Sequence, residues 1–314
     1  MMLILHKLIE RSKYLYKQQH KFSNQVVKTP WNVLFFGTDE FSIFSLKALL
    51  NEYRKGQVIG KLEVCTSVKK LKNAVHLFAE KENLRLNEWP YEVPENEFHT
   101  GLVVSFGHLI PQRIIKKFPL GMINVHASLL PRWRGAAPII YSLANGDSVT
   151  GVSIMKIKPK KFDTGEIISQ KSVEIREDMY MPELHQVLGI VGANELIECL
   201  RDLPNKLENA KPQSQENITY APKIDPTFSH INWKNMTSTQ IYNLERAVKG
   251  FLPVVTLWKG EPIKLFTIEK LEENTENVSP GFIIYDNILN VLKVSCLDQK
   301  YVIVRKVQVF SKKL

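Results

Sequence analysis

The most restrictive feature of this chain is an alternation of two kinds of segment between residue 31 and about residue 205. Short apolar runs such as WNVLFFG, LVVSF and GMINVHA alternate with stretches in which apolar residues recur at helical spacing. The stretch SIFSLKALLNEYRK and the stretch NAVHLFAEKENL, residues 73–84, are of the second kind. Strands that alternate with helices predict an α/β fold with a doubly wound, mostly parallel sheet.

A polar segment then separates this region from a second one. Residues 205–222, NKLENAKPQSQENITYAP, contain two prolines and predict an extended linker. Residues 223–314 contain one helical stretch, STQIYNLERAVKG, and five short strand-like runs divided by turn residues. That pattern predicts a small C-terminal β-barrel, of the oligonucleotide-binding kind, although an antiparallel sandwich has a similar pattern.

The first 28 residues differ from everything that follows. They hold six basic residues and one acidic residue, and their apolar residues recur at roughly helical spacing. A basic amphipathic N-terminus that is poor in acid is typical of an organelle transit peptide. The alternative is a retained basic helix that docks on RNA. We therefore expect residues 1–28 to be a transit peptide and residues 29–204 to form the first folded domain.

Composition excludes several classes of protein. No apolar run reaches the roughly 18–20 residues of a transmembrane helix, and the three cysteines are too scattered for a disulfide framework or a zinc site. The turn GTDEFS after the first strand lacks the second and third glycines of a dinucleotide fingerprint, so no nicotinamide cofactor is expected. The net charge of +10 favours a polyanionic partner, or reflects a merely soluble basic surface.

Two segments carry residues suited to catalysis. In the strand GMINVHA, Asn124 and His126 are two residues apart and therefore face the same side. Asp163 lies in the turn FDTGE, between two strand-like runs. An amide can hold a carbonyl oxygen that gains charge, an imidazole can move a proton, and a carboxylate can orient the imidazole. Taken singly, each of these residues is more simply explained as structural, and the set suits acyl transfer to an amine.

The motifs together identify a resemblance. NVLFFGTDEFS, VSFGHLIP, INVHASLLPRWRGAAPI, FDTGEI, ITYAPKIDPTFSHINW and SPGFII occur in this order. In this the chain resembles the 10-formyltetrahydrofolate-dependent formyltransferases, and among them the branch that acts on methionyl-tRNA. The resemblance runs from about Trp31 to near the C-terminus. It implies a catalytic set made of Asn124, His126 and Asp163.

The resemblance also implies ligands and surroundings. It implies 10-formyltetrahydrofolate as the co-substrate, without a metal, and initiator methionyl-tRNA as the partner. We expect the protein to act as a monomer in the mitochondrial matrix. The residues implied to contact folate are Ser128, Leu129, Leu130, Pro131, Phe106, Leu109 and Ile110. Candidate tRNA contacts in the first domain are Lys69, Lys70, Lys72, Arg132 and Arg134. In the second domain they are Lys249, Lys259, Lys264, Arg305 and Lys306, and each is individually explained as well by simple solvation.

The sequence departs from the family pattern in three places. Asp39 stands where the family usually has proline, and the segment before Asp163 is one residue longer than the bacterial form. The loop TSVKKLKN is shorter than the bacterial arm that grips tRNA. Two alternatives stay open. The first is a relative that acts on a small amine, such as a nucleotide-sugar or purine precursor, or that hydrolyses folate. The second is an RNA-binding protein with a decayed catalytic domain.

Overall fold

A seven-stranded sheet forms the centre of the first part of the chain. The computed structural model describes residues 29–68, 71–275 and 277–309. The strand order is β3-β2-β1-β4-β5-β6-β7; pairs up to β5 are parallel, and β6 and β7 are antiparallel additions at one edge. The mostly parallel sheet is therefore confirmed. The strands are β1 (Trp31–Gly37), β2 (Ile59–Thr66), β3 (Arg85–Glu88), β4 (Thr100–Val104), β5 (Met122–His126), β6 (Val149–Lys156) and β7 (Ile167–Glu174).

Helices cover both faces of this sheet. They are α1 (Glu40–Lys55), α2 (Ala74–Lys81), α3 (Gln112–Ile115), α4 (Pro138–Ala144), α5 (Met181–Arg201) and α6 (Leu203–Glu208). The central position of β1 explains why its sequence is apolar except for Asn32. Val33 and Phe35 belong to the core on one face, and Leu34 and Phe36 belong to the core on the other. A strand that is covered on both faces has no face in contact with solvent, so its sequence does not alternate between apolar and polar residues.

The second part of the chain is an antiparallel sheet with one helix. Its elements are α7 (Ser238–Val248), β8 (Val254–Trp258), β9 (Glu261–Asn274), β10 (Ile283–Asp286), β11 (Val291–Ser295) and β12 (Lys300–Val309). The strand order is β10-β11-β12-β9-β8, and α7 packs its apolar residues into the core of this sheet. The five strands and the helix are confirmed. Within the described residues, β10 and β8 remain edge strands, so the ladder is open rather than closed into a ring.

Three local expectations need correction or fall outside the structure. The helix expected over residues 73–84 ends at Lys81, because Asn83 adopts a left-handed φ of 54° and the chain then enters β3, which we did not predict. The expected extended linker begins with helix, since α6 extends to Glu208. The expectations for residues 1–28, Lys69 and Lys70 lie outside the described residues. In the part of the chain that the structure describes, no helix is long and apolar enough to span a membrane.

A buried arginine joins the two parts. Arg246 of α7 is only 4% exposed, and its Nη1 donates to the main-chain carbonyls of Arg176, Glu177 and Met179, at 3.0, 2.8 and 3.1 Å. These three carbonyls belong to the turn between β7 and α5 of the first part. Burial lowers the pKa of Arg246, so the guanidinium depends on these acceptors for compensation.

We expect Arg246→Met to destabilise the protein. The change leaves buried carbonyls without a donor, and hydrogen bonds to charged groups are worth about 1.5–3 kcal/mol each, so a loss of at least about 2 kcal/mol should appear in urea denaturation. The control is Arg305→Met. The side chain of Arg305 is 48% exposed and pairs with Glu269 at the surface, and such pairs contribute about 0–1 kcal/mol. Equal losses in the two variants would contradict the assigned role of Arg246.

Candidate functional site

The candidate site is built on the end of β5. Ile123 and Val125 point into the core beneath α1 and α5, while Met122 belongs to the core on the opposite face. Asn124 and His126 therefore share the face of Met122, as the two-residue period requires. Asn124 is half-buried and His126 is 6% exposed. The structure thus places both predicted side chains together at the carboxyl end of a central strand, where open α/β sheets bind ligands.

Both ring nitrogens of His126 have a neighbour. Nε2 lies 2.9 Å from the carbonyl oxygen of Trp133, and Nδ1 lies 3.7 Å from Oδ1 of Asp163. A carbonyl oxygen can only accept, so this contact assigns the proton of the neutral ring to Nε2. Nδ1 is then the nitrogen that can take up a second proton, and it faces a carboxylate that would stabilise the resulting cation. The distance of 3.7 Å is that of an ion pair and is longer than a hydrogen bond.

Asp163 lies in a tightly constrained turn. Its φ is +52°, in the left-handed region, and its other oxygen Oδ2 accepts a 2.9 Å hydrogen bond from the backbone N–H of Gly135. Gly165 follows in the same turn, where an added Cβ would lie 1.6 Å from the carbonyl oxygen of Lys156. Side chain and backbone of this turn therefore hold Asp163 beside His126, with Asp163 bridging the β5 histidine and the loop that follows it.

The loop of residues 128–131, predicted to contact folate, is fixed through its backbone. Ser153 Oγ donates to the carbonyl of Ser128 at 2.6 Å and accepts from the N–H of Leu130 at 3.0 Å. Gln170 Nε2 donates to the carbonyl of Leu130 at 2.9 Å. The peptide bond between Leu130 and Pro131 is cis. Ser153 and Gln170 were missed from the sequence; the signal for Ser153 is a single hydroxyl in the otherwise apolar strand GVSIMKI.

The three other predicted folate residues occupy different environments. Phe106 and Ile110 are each 3% exposed and belong to a core cluster, whereas Leu109 is 44% exposed. The ring of Phe106 packs against Trp89 at 5.2 Å and against His108 at 5.0 Å, measured between ring centroids. Leu109 is therefore the one of the three whose exposed side chain can contact a ligand, and Phe106 and Ile110 are part of the core. Trp89 and His108 were not singled out from the sequence.

The segment expected to be a linker completes the site. Arg134 N donates to the carbonyl of Thr219 at 2.9 Å, and Ala221 N donates to the carbonyl of Arg134 at 2.7 Å. Gly135 has a φ of +128°, and an added Cβ would lie 2.4 Å from the carbonyl oxygen of Ala221. Residues 219–221 thus pair with the catalytic loop as a short strand would, which leaves room only for glycine at position 135.

The predicted basic residues near the site have acidic or amide partners. The Arg132 guanidinium binds both carboxylate oxygens of Asp147, at 2.9 and 2.6 Å, and stacks over the Trp133 ring. Arg134 donates twice to Gln213 Oε1. Lys72 pairs at the surface with Glu80. Their predicted contact with tRNA stays a prediction.

No metal centre is apparent in the described ranges: no group of three or more potential ligand residues is close enough to hold an ion. The three cysteines are buried and unpaired, and burial raises the pKa of each thiol to about 12. Thiols that stay protonated at neutral pH are poor nucleophiles and poor metal ligands.

The sequence matches two models of one protein family. The family model described as formyl transferase matches residues 32–200, and the model described as formyl transferase, C-terminal domain, matches residues 223–314. The chain belongs to the formyl transferase family. Among its relatives, "Methionyl-tRNA formyltransferase, mitochondrial" of Homo sapiens is 42% identical over 285 residues, covering 86% of this chain and 72% of that protein. The methionyl-tRNA formyltransferase of Acetivibrio thermocellus is 33% identical, covering 80% of this chain and 84% of that protein.

Solved structures show the same fold at low identity. An N-formyltransferase from Helicobacter canadensis, in complex with folinic acid and dTDP-3-aminofucose, has a TM-score of 0.66 at 18% identity and covers 90% of this chain and 100% of that chain. HypX from Aquifex aeolicus, in complex with tetrahydrofolic acid, has a TM-score of 0.59 at 15% identity, covering 91% of this chain and 45% of that chain. The N-formyltransferase and HypX therefore share the fold of this chain.

The Asp147 carboxylate should make stability depend on pH. Burial alone would raise its pKa, but hydrogen bonds from Arg132, Trp133 and Asn145 outweigh burial and lower the pKa below 3.8. A lowered native pKa contributes stability above the unfolded pKa, and that contribution is lost as pH falls through the native value. We expect Asp147→Asn to cost about 1.5–3 kcal/mol at pH 7, the range for hydrogen bonds to a charged group.

The measurement is urea denaturation at pH 7, 5 and 3, where the difference between wild type and Asp147→Asn should shrink only below about pH 4. Asp178→Asn is the control, since the side chain of Asp178 is 78% exposed and should contribute little at any pH. A difference that stays constant down to pH 3 would show that the ionised carboxylate is not its source.

Proposed function

We propose that this protein transfers the formyl group of 10-formyltetrahydrofolate to the α-amino group of initiator methionyl-tRNA. The observation that carries the proposal is the identity of 40–42% to mammalian mitochondrial methionyl-tRNA formyltransferases, over 86% of this chain and across both matched regions. The cluster of Asn124, His126 and Asp163 supports it, because its three groups suit acyl transfer to an amine. The solved relatives that carry sugar nucleotides share only 18–20% identity and support the fold alone.

The chemistry assigns one task to each residue. Asn124 donates a hydrogen bond to the formyl oxygen as the methionyl nitrogen attacks the formyl carbon and the oxygen gains negative charge. His126 takes the amine proton on Nδ1, since Nε2 already donates to Trp133, and delivers it to the departing folate nitrogen. Asp163 stabilises the imidazolium between the two transfers. One C–N bond forms, one breaks, and the proton moves from the amine to the folate.

The co-substrate pocket is proposed at the loop of residues 128–131. Its backbone is held by Ser153 and Gln170, so carbonyl and N–H groups are presented in a fixed arrangement to a pterin ring. Leu109 is proposed as the exposed apolar contact, with Phe106 and Ile110 as support beneath it. A preformed apolar pocket with a few fixed polar groups is the usual design for a flat heterocyclic ligand.

Direct assay of the full chain tests the proposed function. Purified protein is incubated with initiator methionyl-tRNA and 10-formyltetrahydrofolate, and formylmethionine released from the tRNA is quantified by mass spectrometry. A parallel reaction offers a dTDP-amino sugar in place of tRNA. We expect product only with tRNA. Formylation of the sugar without tRNA would replace the proposal by the small-amine alternative, and tRNA binding without any product would favour an inactive RNA-binding protein.

The three catalytic side chains should each be required. Loss of one oxyanion donor typically lowers the rate by about 100- to 1,000-fold, so Asn124→Ala, His126→Ala and Asp163→Ala should each lose at least about that much in kcat, with tRNA affinity unchanged. Single-turnover formylation measures this loss. Asn235→Ala, an exposed asparagine of the second part, is the control and should retain full activity. Near-normal turnover in Asp163→Ala would remove Asp163 from the catalytic set.

Residues 223–314 are proposed as the tRNA-binding domain, joined through a linker at 205–222 to a catalytic domain at 29–204. Residues 206–314 hold 15 basic and 11 acidic residues, while residues 29–205 hold 21 and 20. Of the predicted basic contacts, Arg305 is paired with Glu269 and Lys249 with Glu245. Lys259 and Lys306 lie over aromatic rings, at 5.8 Å from Trp258 and 5.7 Å from Phe266, as Lys249 does over Tyr180 at 5.5 Å. A cation beside a ring that a base can stack on suits a nucleic acid.

Charge reversal at these two lysines should weaken tRNA binding and change its salt dependence. Each lost phosphate contact should flatten the log–log slope of affinity against salt by about 0.7–0.9. We therefore expect Lys259→Glu with Lys306→Glu to raise the KM for tRNA and flatten the slope, with the KM for folate unchanged. Lys47→Glu with Lys116→Glu makes the same charge change at exposed positions of the first part. Equal effects in the two double variants would reduce the proposal to net charge alone.

The protein is further proposed to act as a monomer in the mitochondrial matrix, at initiation of mitochondrial translation, with residues 1–28 as its transit peptide. The mitochondrial relatives and the six basic residues against one acidic residue in that segment support this. Residues 1–28 fused to a fluorescent reporter should carry it into mitochondria, and the mature protein should begin near residue 29. A cytosolic reporter, or a mature protein that retains Met1, would contradict the proposal.

A further inference from the structure

Gln213 is a buried residue in an exposed segment. Residues 211, 212 and 214–217 are all exposed, whereas Gln213 is 7% exposed and points into the first part of the chain. It precedes the residues that pair with the catalytic loop, so one continuous segment contacts the site at two places. A buried amide among exposed neighbours indicates a specific polar task, because burying it without partners is costly.

Its amide uses both ends. Oε1 accepts from Arg134 Nε at 3.1 Å and from Nη2 at 2.6 Å. Nε2 donates to the carbonyl of Asp163 at 2.9 Å and to the carbonyl of Gly165 at 2.8 Å. The opposite orientation of the amide would set its NH2 group against a guanidinium and its oxygen against two carbonyls, so the hydrogen bonds fix the assignment. Gln213 therefore links the loop of Arg134 to the turn of Asp163.

The turn that Gln213 holds is the strained one. A non-glycine residue at a φ of +52° costs free energy and persists only where its surroundings over-determine it. Asp163 is fixed at its carboxylate by Gly135 N–H and at its carbonyl by Gln213. With the carbonyl released, the turn can relax toward an ordinary φ, and the carboxylate then leaves its place 3.7 Å from His126.

We propose that Gln213 is a positioning residue that sets Asp163 against His126, so that a residue outside the catalytic domain completes the catalytic geometry. The consequence for formyl transfer rests on the proposed function; the structural effect on Asp163 does not. Gln213 touches neither reacting group, and it acts through the turn. Glutamine is suited to the task because it combines an acceptor for Arg134 with a donor for two carbonyls on one planar group.

Two substitutions separate the two ends of the amide. Gln213→Glu keeps an acceptor for Arg134 but sets a carboxylate oxygen against the carbonyls of Asp163 and Gly165. Gln213→Met has similar length and removes both functions. Gln215→Glu and Gln215→Met are the matched controls, since Gln215 lies two residues away in the same segment and is exposed. Thermal unfolding of all four variants identifies any that fail to fold, and assays are run well below the lowest Tm.

The first measurement does not depend on the substrate. Hydrogen–deuterium exchange of the peptide that contains Gly135 reports the hydrogen bond from its N–H to Asp163. We expect at least about tenfold faster exchange in both Gln213 variants and no change in the Gln215 variants, since loss of about 1.4 kcal/mol of protection corresponds to tenfold. Unchanged exchange at Gly135 in folded Gln213 variants would overturn the inference.

The second measurement is a double-mutant cycle with Asp163→Asn. Misplacement of a catalytic group by about 1 Å can cost about 100-fold, so the Gln213 variants should lose about 10- to 100-fold in kcat, with little change in either KM. In the Asp163→Asn background the same substitutions should cost less than about threefold, because the group they position is already altered. Equal losses in both backgrounds would show a merely structural role and overturn the inference. A wild-type protein that fails to formylate methionyl-tRNA while Gly135 exchange still responds would sink the proposed function and leave the positioning role intact.

Discussion

The site depends on one carboxylate that satisfies two partners at once. Asp163 accepts the N–H of Gly135 through one oxygen and faces Nδ1 of His126 through the other. His126 is 6% exposed, and a proton gained on a buried ring costs free energy unless a counter-charge is near. Under the proposed function, the imidazole therefore acts in proton transfer only while the turn of Asp163 stays in its left-handed conformation. Hydrogen bonds from Gly135 and Gln213 hold the turn in this conformation.

Strand direction explains how the loop after β5 is held. Because β6 runs antiparallel to β5, Ser153 lies directly opposite His126 in the register. Its hydroxyl then reaches both the carbonyl of Ser128 and the N–H of Leu130 in the loop that follows the histidine. A parallel neighbour would need a long crossover to arrive at the same place. The antiparallel edge of an otherwise parallel sheet thus supplies support to the loop proposed to bind folate.

Sequence reasoning succeeded where a short pattern reflects one local cause. The strand containing Asn124 and His126 was predicted because it is short and mostly apolar and its two polar residues keep the two-residue period. β3 was missed because RLNE has no apolar run. The helix before it ended early, at Lys81, because the chain turns at Asn83, a residue that tolerates positive φ. The five C-terminal strands were found from their turns, but which strands pair, and that the ladder stays open, depends on contacts distant in sequence.

The largest omission was the segment after α6. Its polar composition predicted an extended linker, yet Gln213 is buried and the residues at 219–221 pair with the loop at Arg134. Nothing local distinguishes that glutamine from its exposed neighbours, because its partners are 48 to 79 residues away along the chain. The composition of a segment predicts only the average environment of its residues. It cannot predict that a single residue within the segment is buried and makes a specific contact.

This segment also bears on how one catalytic cluster can serve different amines. Under the proposed function, Asn124, His126 and Asp163 act on the formyl carbon and on the attacking nitrogen, and nothing in their chemistry distinguishes one primary amine from another. The same architecture is found in a formyltransferase solved with a dTDP-amino sugar. Selection of the amine must therefore reside in surfaces outside the cluster. In this protein the segment that pairs with the loop at Arg134 continues into the C-terminal sheet, which we propose as the tRNA-binding surface. Arg246 anchors that sheet to the turn before α5. Under the proposed function, these two attachments place a bound tRNA in a fixed relation to His126. Both are hydrogen bonds to main-chain groups: residues 219–221 pair with the loop at Arg134, and Arg246 donates to carbonyls of the first part. Main-chain groups are present whatever side chains surround them, so the relation does not depend on those side chains.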